Sequence, residues 1–370
     1  MLLIEYILIG ITILYVAEMV FLWRGLERTD TYDRDFSYRP YVSIIVAARN
    51  EEENIEGCLT SLLQLDYPQD MHEIIVDDDG STDNTAAIVR SYEQKFSHVK
   101  LIRAEAGHSN LRGKANALAQ GVQRSTGEVL MFTDADCTVP SGWVTETVSY
   151  YTDGVGAVAG FTFLRTDKLF DGIQALDWFF LLGAAAATAA WNIPLTAIGN
   201  NLSTYRSIYD RVGGYQNLPF SVTEDYALVQ AIWQTTRSQI RYPINDKTLV
   251  QSKPCSRWKE LFRQKQRWAV GGLDMVPRGF LIMSVHFAMH LSILTSAFIV
   301  SPEVLLTALA AKLFSDALFL WKPIHRFRKY TLLKYFFFFE LYYSLYELLL
   351  PFIALFSKKV VWKERSFSET

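Results

Sequence analysis

The chain has little cysteine and no surplus of charge of either sign. Its 370 residues include three cysteines, Cys58, Cys137 and Cys255, which lack both the even number of a disulfide framework and the close spacing of a zinc site. The formal net charge is −3, so no excess of Lys and Arg is available to neutralise a nucleic-acid backbone. We therefore expect a reducing compartment and no nucleic-acid partner.

Two common phosphate-binding loops are also missing. No Gly-x-Gly-x-x-Gly follows the first apolar strand and no Walker loop occurs, which argues against a dinucleotide-dependent dehydrogenase and a P-loop NTPase. Half of the residues are hydrophobic and 20% are charged, a composition that excludes a disordered chain. The mean hydropathy lies just above zero, so either the core is very large or part of the chain lies in lipid.

The first long apolar run covers residues 2–23. As a helix it would reach about 33 Å, enough to cross a hydrocarbon core of roughly 30 Å. Glu5 lies near its start and Arg24 and Arg28 follow it, an order that favours an uncleaved anchor at 1–24 over a cleaved signal. By the positive-inside rule, the segment that follows lies in the cytoplasm.

Three further apolar runs, 279–300, 304–321 and 332–356, predict a C-terminal membrane region of two to four segments at 279–356. The first two are separated by three residues, as in a transmembrane hairpin. The last run carries Glu340, Glu347 and Pro351, and a basic tail follows at 357–370. Because one crossing would place this tail outside, an interfacial or re-entrant segment or a short hairpin is the alternative.

Between these regions, residues 40–275 have the pattern of a soluble α/β domain. Strands predicted at 42–48, 73–76, 98–103 and 128–133 alternate with helices at 52–65, 82–94 and 114–124. This alternation predicts a largely parallel sheet, with ligands bound beyond the carboxyl ends of its strands. A further apolar segment, 170–190, fits either a buried core helix or a surface that docks on the bilayer.

Acidic residues follow two of these strands. Asp77, Asp78 and Asp79 come after the second strand, where they suit either a turn with a helix cap or a donor-rich ligand such as a nucleobase. Asp134 and Asp136 follow the fourth strand, and two carboxylates at this spacing can converge on one hard cation such as Mg²⁺ or Mn²⁺.

Lys114 and Asp225 each open a predicted helix. Lys114, after a glycine, is either an ordinary surface lysine or a cation for a diphosphate. Glu224 and Asp225 are typical of a first helical turn, but Asp225 could also accept a proton from a substrate hydroxyl.

A third constellation lies on an amphipathic helix predicted at about 256–271. This helix can rest on a membrane surface. Gln264, Arg267 and Trp268 lie within about one turn of it, where an arginine can grip phosphate and an indole can stack on a sugar ring.

In their order along the chain, these motifs resemble those of glycosyltransferase family 2. Two departures are visible: Ala47 stands where proline is frequent, and Asp77 is an extra acid. The resemblance implies a Rossmann-like GT-A fold with a mostly parallel sheet for 40–275, flanked by transmembrane helices. The matching segments are Val46-Ala47-Ala48-Arg49-Asn50-Glu51, Asp78-Asp79-Gly80-Ser81-Thr82-Asp83, Gly113-Lys114, Asp134-x-Asp136, Gly199-Asn200-Asn201 through Arg206 and Gly213-Gly214-Tyr215, Thr223-Glu224-Asp225, and Gln264-x-x-Arg267-Trp268.

The same resemblance implies a role for each matching residue. It makes Asp225 the catalytic base of an inverting transfer and gives Mn²⁺ or Mg²⁺ to Asp134 and Asp136. The acceptor is assigned to Glu224, Gln264 and Trp268. The donor, a nucleotide-diphosphate sugar such as a UDP-sugar, is assigned to Ala48, Glu51, Asp79, Lys114, Asp134 and Arg267.

The acceptor is expected to be a membrane lipid or a lipid-linked glycan, because the apolar segments are few for a polysaccharide channel. The alternatives are a processive synthase similar to those of cellulose, chitin or hyaluronan, and an inactive membrane receptor or scaffold on the same fold. A glycoside hydrolase is disfavoured because it has no use for a metal and diphosphate site. The expected location is the plasma (cell inner) membrane, with the catalytic domain in the cytoplasm.

Overall fold

A computed structural model describes residues 2–105, 111–219, 221, 223–272, 277–356, 360–362 and 365–367. The α-helices are α1 (Leu2–Arg28), α2 (Ile55–Leu63), α3 (Thr85–Glu93), α4 (Lys114–Gln123), α5 (Trp143–Ser149), α6 (Leu169–Ala190), α7 (Arg206–Arg211), α8 (Gly214–Asn217), α9 (Glu224–Thr236), α10 (Trp258–Gly271), α11 (Pro277–Ser296), α12 (Pro302–Arg326) and α13 (Phe336–Phe356). The strands are β1 (Val42–Ala48), β2 (His72–Asp78), β3 (Val99–Arg103), β4 (Val129–Asp134), β5 (Val155–Ala159), β6 (Thr162–Leu164), β7 (Leu202–Tyr205), β8 (Gln239–Arg241), β9 (Val250–Ser252), β10 (Val360–Trp362) and β11 (Arg365–Phe367). Of the predicted basic tail, Lys358, Lys359 and Lys363 lie outside the described residues.

The chain divides into two compact units. One, the sheet unit, consists of Thr29–Arg165 and Thr196–Lys253. The other, the helical unit, consists of Met1–Arg28, Thr166–Leu195 and Pro254–Thr370. The helical unit thus collects three separate stretches of sequence, and its middle stretch interrupts the sheet unit.

The sheet unit contains a seven-stranded sheet in the order β3-β2-β1-β4-β7-β5-β8. Strands β3, β2, β1 and β4 are parallel, whereas β7 runs antiparallel to both of its neighbours. Strands β1 and β2 are buried at almost every position, as expected for parallel strands covered on both faces. The prediction of an α/β fold with a mainly parallel sheet is confirmed.

Helices cover both faces of this sheet. Side chains of α2 and α5, including Leu59 and Trp143, pack in one core with alternate residues of β1, β2 and β4. On the opposite face, α4 lies close to β1, and a Cβ added at Gly121 would be 2.7 Å from Cγ2 of Ile45. Gly121 thus lets the last turn of α4 pack closely against the middle of β1.

The helical unit contains long apolar helices. Five helices among the described residues are long and apolar enough to cross a membrane: α1, α6, α11, α12 and the one ending at Phe356. Four have an apolar stretch that is 22–33% buried, but that of α6 is 83% buried. The segment left open between core helix and bilayer surface is therefore a core helix of the helical unit. In the last apolar run, residues 332–335 belong to a 3-10 helix and the rest forms one continuous helix, α13, which excludes a hairpin within α13.

A glycine allows α1 to approach α6 closely. A Cβ added at Gly25 would collide with the backbone carbonyl of Ala187. Small residues at such a crossing let two helix backbones pack against each other, as is common between membrane helices. The ring of Trp191 stacks on Phe21 beside this crossing, and its indole N–H donates to the Phe21 carbonyl.

Candidate active site

The strand register of the sheet unit brings two acidic strand ends beside β1. Ala48 is paired with Asp78 of β2, and Ala47 is paired with Asp134 of β4. Each acid therefore lies one strand spacing, about 4.8 Å, from the end of β1. The acids at the strand ends thus share one edge of the sheet, as the sequence indicated.

Hydrogen bonds join the loops that follow β1 and β2. The backbone N–H of Asp79 donates to the Ala48 carbonyl at 2.8 Å, and the N–H of Glu51 donates to Thr85 Oγ1 at 2.8 Å. The Arg49 guanidinium donates to the Asp79 carbonyl. Asn50, with a φ of 52°, takes the left-handed conformation that turns the chain between these contacts. Ala48, Glu51 and Asp79, which are predicted to bind the nucleotide, therefore lie on one rim, formed by the hydrogen-bonded loops after β1 and β2.

Lys114 connects two of the predicted motifs. Its Nζ lies 2.6 Å from Oδ1 of Asp134 and 3.4 Å from Oε1 of Glu224. Burial lowers the pKa of Lys114, but the surrounding carboxylates outweigh this effect and hold the pKa above its ordinary value. Lys114 is therefore a fixed cation within an acidic group, which excludes the interpretation as an ordinary surface lysine.

Asp225 is a partly buried carboxylate of this group whose two oxygens both accept backbone hydrogen bonds. Its Oδ2 accepts from the Gly199 N–H at 2.6 Å, and its Oδ1 accepts from the Tyr226 N–H at 2.8 Å. Burial and the neighbouring Glu224 carboxylate together raise the pKa of Asp225 to about 6, although Lys114 and the two backbone hydrogen bonds oppose the shift. A carboxylate with a pKa near neutrality is still ionised at physiological pH and is a stronger base than an ordinary carboxylate, which suits a general base.

Asp134 and Asp136 offer hard oxygen donors at the end of β4. Asp134 is about one-third exposed, and Asp136 accepts a long hydrogen bond of 3.4 Å from Ser252 Oγ on β9. Within the described ranges, no group of three or more His, Cys, Asp or Glu side chains could hold a metal ion. A divalent cation on this pair would need water or substrate phosphate as further ligands, which is how Mg²⁺ is commonly bound.

The remaining predicted residues lie in the helical unit. Gln264, Arg267 and Trp268 are on α10, which is amphipathic as predicted: Leu261 and Ala269 are buried, whereas Lys259 and Arg263 are exposed. The structure thus brings together Asp134, Lys114, Glu224 and Asp225 within the sheet unit. Ser252 could not be predicted from the sequence, because nothing in the short strand β9 marks a residue that contacts an acidic motif 116 positions earlier.

Comparisons with known proteins identify the family and the fold of the chain. The sequence model described as "Glycosyl transferase family 2" matches residues 43–226. A beta-monoglucosyldiacylglycerol synthase from Synechocystis sp. is 31% identical over 63% of this chain and 48% of its own. A poly-beta-1,6-N-acetyl-D-glucosamine synthase from Staphylococcus epidermidis is 28% identical over 65% of this chain and 56% of its own. The chain thus spans about half the length of these relatives.

Among solved structures, the mannosyltransferase PcManGT from Pyrobaculum calidifontis, in complex with GDP-Man and Mn²⁺, has a similar fold. The TM-score is 0.62 at 22% identity, over 95% of this chain and 99% of that one. The fold, the ordered motifs and the matching family model lead to one conclusion: the chain belongs to glycosyltransferase family 2.

Proposed function

We propose that this chain transfers a sugar from a nucleotide-diphosphate sugar, a UDP-sugar, to a hydroxyl of a membrane lipid or lipid-linked glycan. One observation carries the proposal: Lys114 joins Asp134 to Glu224 beside the partly buried Asp225, whose pKa is raised. A cation, a pair of oxygen donors and a carboxylate with a raised pKa at one edge of a parallel sheet suit a diphosphate leaving group and a hydroxyl nucleophile.

The donor would lie along the carboxyl ends of β1, β2 and β4. Asp79 and Glu51 would hold the nucleotide on the hydrogen-bonded rim, and Lys114 would face the diphosphate. Asp134 and Asp136 would hold Mn²⁺ or Mg²⁺, because both present hard oxygen donors at a partly exposed strand end. When bound, this ion would neutralise the charge that develops on the departing diphosphate.

Asp225 would take the proton from the acceptor hydroxyl. The acceptor oxygen then bonds to the anomeric carbon as the bond from that carbon to the diphosphate oxygen breaks, and the nucleoside diphosphate leaves with the bonding electrons. One displacement of this kind inverts the configuration at the anomeric carbon. The hydrogen bonds from the backbone N–H groups of Gly199 and Tyr226 hold the carboxylate of Asp225 in place for this proton transfer.

The acceptor assignment is supported by the apolar helices of the helical unit and by the similarity to the beta-monoglucosyldiacylglycerol synthase from Synechocystis sp.. We place the protein in the plasma (cell inner) membrane with the sheet unit in the cytoplasm, because Arg24 and Arg28 follow the first apolar run.

The test is product analysis. Purified protein in detergent is incubated with Mn²⁺, radiolabelled UDP-sugars and a membrane lipid extract. We expect label in a small product that enters the organic phase. Label in a long, water-soluble or insoluble polymer would instead identify a processive synthase, and the absence of transfer from any donor would favour an inactive scaffold.

The pKa of Asp225 predicts how the rate depends on pH. Below about pH 6 the carboxyl is protonated and cannot accept a proton, so we expect kcat/KM to fall about tenfold per pH unit. Burial keeps the neighbouring phenols Tyr215 and Tyr242 neutral by raising their pKa values, and Lys114 stays charged because its pKa is raised. The measurement is a pH profile of initial rates at low donor concentration, and a flat profile between about pH 5 and 7 would contradict the role of Asp225.

A further inference from the structure

One face of α6 contacts α10 and the residue shortly before it. Positions 170, 174, 177 and 178 have the i, i+4, i+7 and i+8 spacing of a single helix face. Gln174 donates from Nε2 to the Cys255 carbonyl at 3.1 Å and accepts from the Cys255 N–H at 2.9 Å. The four positions contact, in order, Trp258, Cys255, Lys265 and Trp268.

At the centre of this contact is an ion pair between Lys265 and Asp177. The two side chains are only 5% and 4% exposed, so neither charge can be solvated by bulk water. The Lys265 Nζ also lies 4.5 Å from the ring centroid of Trp268 and 4.7 Å from that of Tyr346 on α13. Removing one partner of a buried pair leaves an uncompensated charge, so this contact strongly favours one orientation of α10.

Fixing Lys265 fixes the rotation of α10 about its own axis. An α-helix turns about 100° per residue, so Arg267 lies about 200° around the helix from Lys265 and is held on the far side from α6. Trp268, three residues on, shares the face of Lys265 and contacts Trp178 with ring centroids 5.6 Å apart. The orientation of both residues therefore depends on where Lys265 is anchored.

The same rotation of α10 determines the direction of the Gln264 side chain. Its Oε1 is buried and has no hydrogen-bond partner in the part of the chain that the structure describes. A buried acceptor without a partner is costly in free energy unless a ligand supplies the donor. This atom is suited to a hydroxyl donor such as a sugar or glycerol hydroxyl.

We propose that the buried pair of Lys265 and Asp177 positions α10, so that Asp177 acts through Lys265 as a positioning residue for Gln264, Arg267 and Trp268. The inference rests on the proposed function, because it assumes that these three residues contact donor or acceptor. It adds two residues on different helices to the reaction, neither of which touches the substrate.

The experiment uses the full-length protein in detergent and the neutral double variant Lys265→Met/Asp177→Asn. Replacing both charges removes the pair without leaving a buried charge, so the thermal unfolding midpoint should stay close to that of the wild type. We expect the KM for the nucleotide sugar to rise about tenfold with kcat changed less than about threefold, since a displaced Arg267 weakens ground-state and transition-state binding alike. Lys259→Met, an exposed position on the same helix, is the matched control and should leave KM unchanged.

A double-mutant cycle separates positioning from a general structural effect. If the pair acts through Arg267, the charge-neutral substitutions should raise KM much less in an Arg267→Ala background than in the wild type. An unchanged KM in the neutral double variant, or fully additive effects in the cycle, overturns the proposal. A wild-type protein that transfers no sugar contradicts the proposed function instead, so the two failures are distinguishable.

A charge-conserving variant keeps the proposal testable if the neutral double variant does not fold. Asp177→Glu retains the ion pair but moves the carboxylate by one methylene group, so α10 must shift slightly to keep the contact. We expect a rise in KM of about threefold in folded Asp177→Glu protein. A KM equal to that of the wild type in this variant overturns the positioning role.

Discussion

Replacing Asp225 with asparagine should reduce sugar transfer by about a hundredfold to ten-thousandfold, the usual contribution of a positioned general base. The asparagine carboxamide oxygen can still accept the hydrogen bond that the Gly199 N–H donates to Asp225. It cannot take a proton from the acceptor hydroxyl. We therefore expect a large fall in kcat with little change in folding, measured as initial rates of transfer with Mn²⁺ at saturating donor.

The matched control is Asp210→Asn, which makes the same substitution at an exposed carboxylate on α7 of the same unit. It should keep wild-type rates. Thermal unfolding of both variants shows whether the Asp225 variant remains folded. Retention of more than about a third of the wild-type rate in folded Asp225→Asn protein would contradict the assignment of Asp225 as the base.

Much of this site could be predicted because it lies at strand ends, where local sequence carries the signal. The apolar strands can be recognised from their β-branched residues. Asp78 is the last residue of β2 and Asp134 is the last residue of β4. Parallel pairing of β1 with β2 and β4 then places both acids at one edge without further information. Strand geometry thus favoured this position for the acids. The family motifs added the expectation that the ligand is a nucleotide sugar.

The contacts of Lys114 could not be predicted in the same way. Its partners Asp134 and Glu224 lie 20 and 110 positions further along the chain. Sequence spacing does not show which acid faces the first turn of α4, because this depends on how α9 packs near the end of the sheet. A lysine at a helix start has the same local pattern whether it is solvated or buried among carboxylates.

The apolar segments were recognised, but their neighbours were not. Composition cannot tell whether an apolar helix such as α6 faces lipid, a sheet or other helices, since all three environments favour the same side chains. The polar residues within α6 were the available signal of a polar contact. Gln174 and Asp177 share one face with Trp178 in an otherwise apolar helix. In α12, Lys312 and Asp316 at i and i+4 were a similar signal of a polar contact within an apolar run.

That contact in α12 leads to the second prediction, which concerns the stability of the helical unit. Lys312 pairs with Asp316, at 3.0 Å, and with Glu340 of α13, while the Tyr15 hydroxyl of α1 donates to Asp316. Lys312 and Asp316 are 1% and 0% exposed. One ammonium group thus compensates two buried carboxylates, one on α12 and one on α13, and the Tyr15 hydroxyl connects α1 to the same cluster. Ionisable groups in such surroundings are tolerated only when they are paired.

Lys312→Met should therefore destabilise the protein strongly, by about 3–5 kcal/mol, because it leaves Asp316 and Glu340 buried without a cation. The measurement is the thermal unfolding midpoint in detergent, which we expect to fall well below that of the wild type. The triple variant Lys312→Met/Asp316→Asn/Glu340→Gln buries no charge and keeps an acceptor for the Tyr15 hydroxyl. It should regain most of the lost stability.

Lys322→Met is the matched control for this prediction, with the same substitution on the same helix. Lys322 pairs with Glu27 at 2.9 Å, but the Glu27 side chain is 48% exposed and stays hydrated when its partner is lost. Pairs of this kind contribute at most about 1 kcal/mol, so this variant should melt close to the wild type. Equal unfolding midpoints for Lys312→Met and Lys322→Met would show that the buried carboxylates do not need Lys312. A much lower midpoint for Lys312→Met would identify Lys312 as the cation that allows α1, α12 and α13 to pack around buried charge.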